Sequence, residues 1–300
     1  MTVKVLVCDR IADEGIRIME GKGYEVTRCW DLPKTQLNSV VADYDVLIVR
    51  SATKVAADLL ARAKKLRVIG RAGEGLDNID LKKAREMGIE VVNTPHVAAV
   101  SVAELTMGHL LALARGIVEG TVSLREGKWI KEDLMGVEVN GKTLGIVGCG
   151  SIGKTVERLA LALGMKVVGV DMCVYGRFVT LEEMLPQADF ITVHVPLTPH
   201  TRHILSTKEF DMMKDGVMFV DCSRGGVVDQ EALYNALVSG KVKAAALDVF
   251  EEEPPKNSKL LKLENVHATP HMGAQTYEAQ LKSSVLVAER VIAALEKAVS

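Results

Sequence analysis

Short apolar runs alternate with helically spaced apolar residues along almost the whole chain. In the first ninety-odd residues the runs are Val3 to Val7, Tyr24 to Thr27, Val46 to Val49, Val68 to Gly70 and Glu90 to Val92. Between them, amphipathic spacing predicts helices around Asp13 to Glu20, Lys34 to Val41, Ala56 to Ala63 and Leu81 to Met87. Runs without polar interruption suit strands buried on both faces, and strand–helix alternation builds parallel sheets covered on each side. After Asn93-Thr94-Pro95 the pattern changes. Ser101-Val102-Ala103-Glu104 has the spacing of a capping box, and the helix predicted to run on to about Arg115 is apolar or small on nearly every face. Such a helix belongs in a core or a subunit interface. Ser123 to Val139, with Trp129 and Met135, reads as an irregular arm.

The alternation then resumes at Leu144 to Val147 and continues through strands at Lys166 to Val170, Phe190 to Val193, Val217 to Val220, Ala244 to Leu247 and Val266 to Ala268. Thr180 to Glu183 and Ser206 to Glu209 are further capping boxes, Gln230 to Ser239 is helical, and Tyr277 to Val299 is one long amphipathic helix. No internal repeat or low-complexity tract is found. The expected fold is α/β, with two doubly wound parallel-sheet domains.

The strand Leu144 to Val147 leads into Gly148, Gly150 and Gly153, spaced G-x-G-x-x-G, at the head of a helix through Leu163. Gly148 permits the tight turn, Gly150 lets backbone approach a pyrophosphate, and Gly153 lets helix and strand pack closely. The helix N-terminal amides, at Ser151 and Ile152 onward, then face the phosphates. Asp171 ends the next strand about 20 residues on, where a carboxylate can accept from the adenosine ribose and repel the 2′-phosphate of NADP. The motif in this setting predicts NAD. The first strand is followed by Cys8-Asp9-Arg10 instead, a poor dinucleotide site and a better start for a substrate-holding domain.

Composition narrows the partners. The 300 residues are 48% hydrophobic with a formal charge of −2, which disfavours broad nucleic-acid or anionic-membrane binding. Only 4% are aromatic, too few for base-stacking platforms. The five cysteines (Cys8, Cys29, Cys149, Cys173, Cys222) lack metal-ligand spacing, and no signal peptide or membrane-length apolar run is found. A reducing, cytoplasmic compartment is the expectation.

Three strand ends beyond the glycine motif carry chemistry. The strand to Val220 runs into Asp221-Cys-Ser-Arg224-Gly225-Gly226, that to Leu247 into Asp248-Val-Phe-Glu-Glu-Glu253-Pro254, and that to Ala268 into Thr269-Pro-His271-Met-Gly273. Arg224 could hold a carboxylate and a carbonyl in its planar fork. His271 could exchange a hydroxyl proton, with Glu253 accepting from its other ring nitrogen. Singly, each has a bland alternative: a turn-bridging arginine, a solvated glutamate, a structural histidine. The remaining histidines, including His109 and His194, have no comparable arrangement and read as structural. In the first domain Arg50, Lys54 and Arg71, followed by Gly73-Glu74-Gly75, form either solvated surface or a pocket for an anionic substrate.

These segments resemble the D-isomer-specific 2-hydroxyacid dehydrogenases over nearly the whole chain: Val147 to Gly153, Ser223 to Asp229, Leu247 to Pro254 and Thr269 to Ala274. Val49 to Lys54 and Gly70 to Asn78 are most similar to the branch that oxidises 3-phospho-D-glycerate to 3-phosphohydroxypyruvate at the start of serine synthesis. The resemblance implies a nucleotide domain (97–274) inserted in a substrate domain (1–96 and 275–300), and a homodimer through the nucleotide domain. It places Arg224, Glu253 and His271 at the catalytic positions. Cys222, Asp248 and Gly273 fall beside the nucleotide, and Arg50, Arg71, Glu74 and Gly75 beside the substrate. Glu74, Ala98 and Met172 depart from the family pattern. The chain ends after its closing helix without the regulatory domains of longer relatives, and the expectation is no feedback by serine. The alternatives are glyoxylate or hydroxypyruvate reduction and, in another class, a nucleotide-sensing corepressor, which would show negligible hydride transfer.

Overall fold

The computed structural model describes residues 2–32, 36–170 and 179–297. The chain divides into two compact units, one of residues 1–98 and 275–300 and one of residues 99–274. The first division therefore falls after Ala98, two residues beyond the expected 96.

The first unit holds β1 (Lys4–Val7), α1 (Asp13–Gly21), β2 (Glu25–Arg28), α2 (Leu37–Val40), β3 (Val46–Val49), α3 (Ala57–Arg62), β4 (Val68–Arg71), α4 (Leu81–Glu86) and β5 (Glu90–Asn93). Its strands are all parallel in the order β2-β1-β3-β4-β5, the flavodoxin-like winding. Alternate residues enter two separate cores. Leu6, Leu47, Val49 and Ile69 pack under Leu59, Leu60 and Ala84 of the helices on one face. Val5, Val46, Ile48 and Val68 pack with Met19 of α1 and with Val287, Val291 and Leu295 on the other. Those three belong to the last helix of the chain, Tyr277–Lys297, whose buried stripe also includes Ala279, Ser283, Ser284, Ala288 and Ala294. Two covered faces explain why β3 is apolar at every position. Gly70 is needed where that helix crosses β4, since a Cβ there would lie 2.8 Å from Val291.

The second unit opens with α5 (Ala99–Arg115) and α6 (Ile117–Arg125). It continues through β6 (Thr143–Val147), α7 (Ser151–Ala162), β7 (Lys166–Val170), α8 (Leu181–Met184), β8 (Phe190–Val193), α9 (Thr207–Met212), β9 (Val217–Asp221), α10 (Gln230–Val238), β10 (Val242–Leu247) and β11 (Val266–Ala268). The six strands are parallel in the order β7-β6-β8-β9-β10-β11. The winding reverses at β6, so the glycine turn leaves the sheet at its switch point, where open α/β sheets bind ligands. Val147, Ile191, Val193, Phe219, Ala245 and Leu247 pack with Phe210 and Leu233 in one core. On the other face α5 lies against α7, β9 and β10.

Two expectations change. The helix predicted to start at the Ser101 box begins at Ala99, leaving Ser101 buried in its first turn. The arm expected from Ser123 starts inside α6, reached through a left-handed Gly116 (φ 58°). Ile117, Val118, Val122 and Leu124 of α6 are exposed, so the burial stripe that betrays a helix is missing there. By contrast, both later boxes close as expected, Thr180 N donating to Glu183 at 2.8 Å and Ser206 N to Glu209 at 3.1 Å. Among the described residues no single helix is long and apolar enough to cross a membrane. The pair α5–α6 passes only together, bent by 67°.

Candidate active site

The glycine turn shows why two of its three glycines, Gly148 and Gly153, are required. Gly148 has φ 98°, and a Cβ there would lie 2.7 Å from the His194 carbonyl oxygen at the end of β8. A Cβ on Gly153 would collide with the Gly148 carbonyl. One on Gly150 would meet nothing, so this residue borders open space. Gly150 is the N-cap of α7, no side chain caps that helix, and its first turn, with Ser151 and Ile152, contains no acid. An uncapped helix N-terminus with an open approach fits a pyrophosphate. Asp171 lies outside the described residues.

The strand order places the other candidates along the same carboxyl edge, on β9, β10 and β11 in turn. His271 Nδ1 and Glu253 Oε2 are 2.9 Å apart. Burial alone would raise the Glu253 pKa, but the hydrogen bond and charge of His271, the Phe250 amide and the charge of Arg224 hold it below the usual carboxylate range. Glu251, two residues earlier, instead faces His203 at 3.2 Å. Arg224 is partly buried and donates through Nη1 to the Ser223 carbonyl at 2.8 Å. The loops after β9 and β10 abut, since a Cβ on Gly225 would collide with the Phe250 carbonyl.

Two buried aspartates brace this edge. Asp221 accepts from Ser223 N at 2.9 Å and from its hydroxyl at 2.6 Å. Burial nevertheless pushes its pKa up to about 6. Asp248 accepts from the Thr269 hydroxyl (2.6 Å), Met272 N (2.8 Å) and Gly273 N (2.8 Å). Cys222 is buried, which raises its thiol pKa far above the ordinary range and makes it inert. At the end of β8, burial drives the His194 pKa down to about 3, and its buried Nδ1 has no hydrogen-bond partner among the described residues.

In the first unit the basic set follows adjacent strands, β3 and β4, in register at Val49 and Arg71. Buried Asp9 shapes the Arg50 loop by accepting from Arg50 N (2.7 Å), Thr53 N (3.1 Å) and the Thr53 hydroxyl (2.7 Å). Arg50 donates through Nη2 to Gln275 at 3.0 Å and through Nη1 to the Arg10 carbonyl at 3.3 Å. Arg71 folds over Gly73, whose absent side chain leaves room for the guanidinium. Glu74 accepts from His96 N at 3.3 Å, while its carbonyl accepts from Asn93 at 2.6 Å. Gly75 is partly buried in the same loop.

Comparison with known proteins places this arrangement. Residues 107–273 match the D-isomer specific 2-hydroxyacid dehydrogenase, NAD binding domain. The chain belongs to the D-isomer-specific 2-hydroxyacid dehydrogenase family. It is 48% identical over 298 residues to a D-3-phosphoglycerate dehydrogenase of Methanocaldococcus jannaschii, covering 96% of this chain and 57% of that protein. The chain therefore spans little more than half of that relative. It is also 48% identical to a hydroxypyruvate reductase of Thermotoga maritima, covering 96% of this chain and 97% of that protein. The crystal structure of TT0316 protein from Thermus thermophilus superimposes with a TM-score of 0.90 at 37% identity, covering 98% and 97% of the two chains.

Within this chain, sequence reasoning passed over His109 and Asp9. His109 Nε2 lies 3.1 Å from the Thr269 hydroxyl, 160 residues away, and no local spacing signals that contact. Asp9 carried one available signal: an acid at the end of a buried strand needs donors, and an adjacent loop must supply them.

Proposed function

We propose that this chain interconverts a 2-hydroxy acid and its 2-oxo acid with NAD, and that the hydroxy acid is 3-phospho-D-glycerate. The observation that carries the reading is the 2.9 Å Glu253–His271 pair at adjacent strand ends of an NAD binding domain. NAD, held at the glycine turn, supplies the hydride acceptor. Glu253 accepts the Nδ1 hydrogen of His271, which fixes the ring and leaves Nε2 to take the substrate hydroxyl proton as general base. In the reducing direction the same nitrogen returns it. Arg224 offers a planar fork to the substrate carboxylate and carbonyl. Arg50 and Arg71 supply cations for the phosphate, and the loop through Gly75 supplies amides for a carboxylate.

A second reading, hydroxypyruvate or glyoxylate reduction, is favoured by the match along nearly the full length of the Thermotoga maritima relative. It also suits an Arg50 already engaged by Gln275 and the Arg10 carbonyl. A spectrophotometric assay of NADH formation or loss across 3-phosphoglycerate, phosphohydroxypyruvate, hydroxypyruvate and glyoxylate separates the two. The highest kcat/KM on the phosphorylated pair is expected. A preference for hydroxypyruvate overturns the phosphate assignment, and negligible turnover on all four favours a binding protein.

Asp171 is assigned to the ribose and to discrimination against NADP, tested by the ratio of catalytic efficiencies with the two nucleotides. We assign a homodimer to the second unit, supported by exposed Ile117, Val122, Leu124, Trp129 and Met135. Sedimentation of the chain and of Leu124→Asp tests it, with a monomeric variant expected.

A further inference from the structure

We infer that His109 and Thr269 are positioning residues, acting through Asp248 to hold His271 in its working conformation. The inference rests on the reading of His271 as the proton-handling group. His271 has φ 51°, a left-handed backbone that a non-glycine residue adopts only when its surroundings impose it. Asp248 imposes it from both sides. On the N-terminal side the Thr269 hydroxyl donates to Asp248 Oδ1 at 2.6 Å, and His271 N closes a turn onto the Thr269 carbonyl at 3.0 Å. On the C-terminal side Met272 N and Gly273 N donate to its two oxygens, each at 2.8 Å. Asp248 is itself 1% exposed and anchored, its amide donating to the Asp221 carbonyl at 2.9 Å.

The direction of these bonds assigns His109 its part. A carboxylate only accepts, so the Thr269 hydrogen is committed to Asp248. The Thr269 oxygen is then the acceptor for His109, whose Nε2 must carry the hydrogen at 3.1 Å. Burial lowers the His109 pKa, with Asp248 opposing and His267 adding to the shift, which keeps the imidazole neutral at pH 7. The helix delivers this donor with its neighbours: Val102, Thr106 and His109 share one face of α5. Val102 lies against Gly273, where an added Cβ would be 3.2 Å from its side chain. Thr106 lies beside Cys222, the first residue after β9. One helix face thus braces the loops that end β9 and β11. The consequence at the site is the aim of His271, with Nδ1 at 2.9 Å from Glu253 and Nε2 left for the substrate.

The test uses the full chain, NADH and whichever oxo acid of the four-substrate panel turns over fastest, measured well below each variant's Tm. Thr269→Val and His109→Phe should lower kcat about 10- to 100-fold, the loss that follows when a supporting group no longer aims a reacting one. KM for NADH should stay within about twofold, and the isotope effect with NADH deuterated at the transferred position should rise as chemistry becomes limiting. Thr269→Ser and His109→Gln keep the hydroxyl and an N–H donor and should recover most of the rate. A purely structural role would lower Tm while leaving kcat and the isotope effect at wild-type values. That result, or a loss confined to KM for NADH, overturns the inference. Where Thr269→Val does not fold, the contrast of His109→Phe with His109→Gln decides. His271→Ala in parallel separates the two readings. Wild-type turnover there removes the role of His271 itself, whereas a dead His271→Ala beside an unimpaired Thr269→Val removes only the bracing.

Discussion

The carboxyl edges of the two sheets are built alike and furnished differently. In the second unit, side chains from neighbouring strand ends meet one another: Glu253 meets His271, and Asp248 gathers donors from the loop after β11. In the first unit, the ionisable groups are tied to backbone, hydroxyl and amide partners: Asp9 to the loop at Arg50 and Thr53, Arg50 to Gln275 and a carbonyl, and Glu74 to the His96 amide, its carboxylate 3.8 Å from the His96 ring and so beyond hydrogen-bond reach. Proton transfer needs two titratable groups aimed at each other within hydrogen-bond reach. Recognition of an anion needs cations and amides held at fixed places, and the loop that Asp9 pins at Arg50 and Thr53 is held in that way. The difference supports the proposed division between an edge for chemistry and one for binding.

Removing one member of the facing pair should break the contrast most severely. His271→Ala should cost about 10³-fold in kcat, within the range for loss of a general acid/base, with a modest fall in Tm for a side chain 34% exposed and paired with Glu253. An unimpaired variant would dissolve the claim that the second edge performs the chemistry. Next in size is a pH effect on stability from Asp221. Its folded pKa of about 6 lies above the ordinary 3.8, so between those values the folded chain binds more protons than the unfolded one. The contribution of Asp221 to stability is then fully present below about pH 4 and is lost as pH rises to 6, by on the order of 3 kcal/mol. Asp221→Asn should abolish that slope in melts run from pH 4 to 7, and an unchanged slope would place the titration elsewhere.

Gly148→Ala forces a side chain into a left-handed turn and against the His194 carbonyl. It should destabilise the chain by about 1–3 kcal/mol and weaken NAD binding, read by calorimetry. A variant that binds NAD as tightly as the wild type would count against the turn as the phosphate site. The smallest effect sharpens the first edge: Arg50→Gln or Arg71→Gln should reduce kcat/KM about tenfold more on phosphorylated than on unphosphorylated substrates, about the worth of one charge-assisted hydrogen bond. Equal losses on both would leave the arginines as scaffold.

Much of this is legible in the sequence alone. Strands buried on both faces leave uninterrupted apolar runs, so Val46–Val49 and Val217–Val220 are legible one residue at a time. The glycine motif is legible because its requirements, a left-handed turn and close helix–strand packing, lie within six residues of chain. Helix α6 was not, because its apolar residues face outward and leave no burial period to detect. The assignment of Asp171 to the choice of nucleotide rests on its place at the end of the strand after the glycine motif.

What the sequence by itself determined was therefore local: which segments form most of the strands and helices, where the glycine turn lies, and which residue types stand at the strand ends. Pairing was decided only by tertiary structure. Glu251 and Glu253 are indistinguishable by composition, yet one faces His203 and the other His271. His109 finds Thr269 across 160 residues because α5 packs beneath β9 and β10. Period and turn chemistry act over a few residues, whereas strand order and helix packing set which distant side chains come within 3 Å of one another.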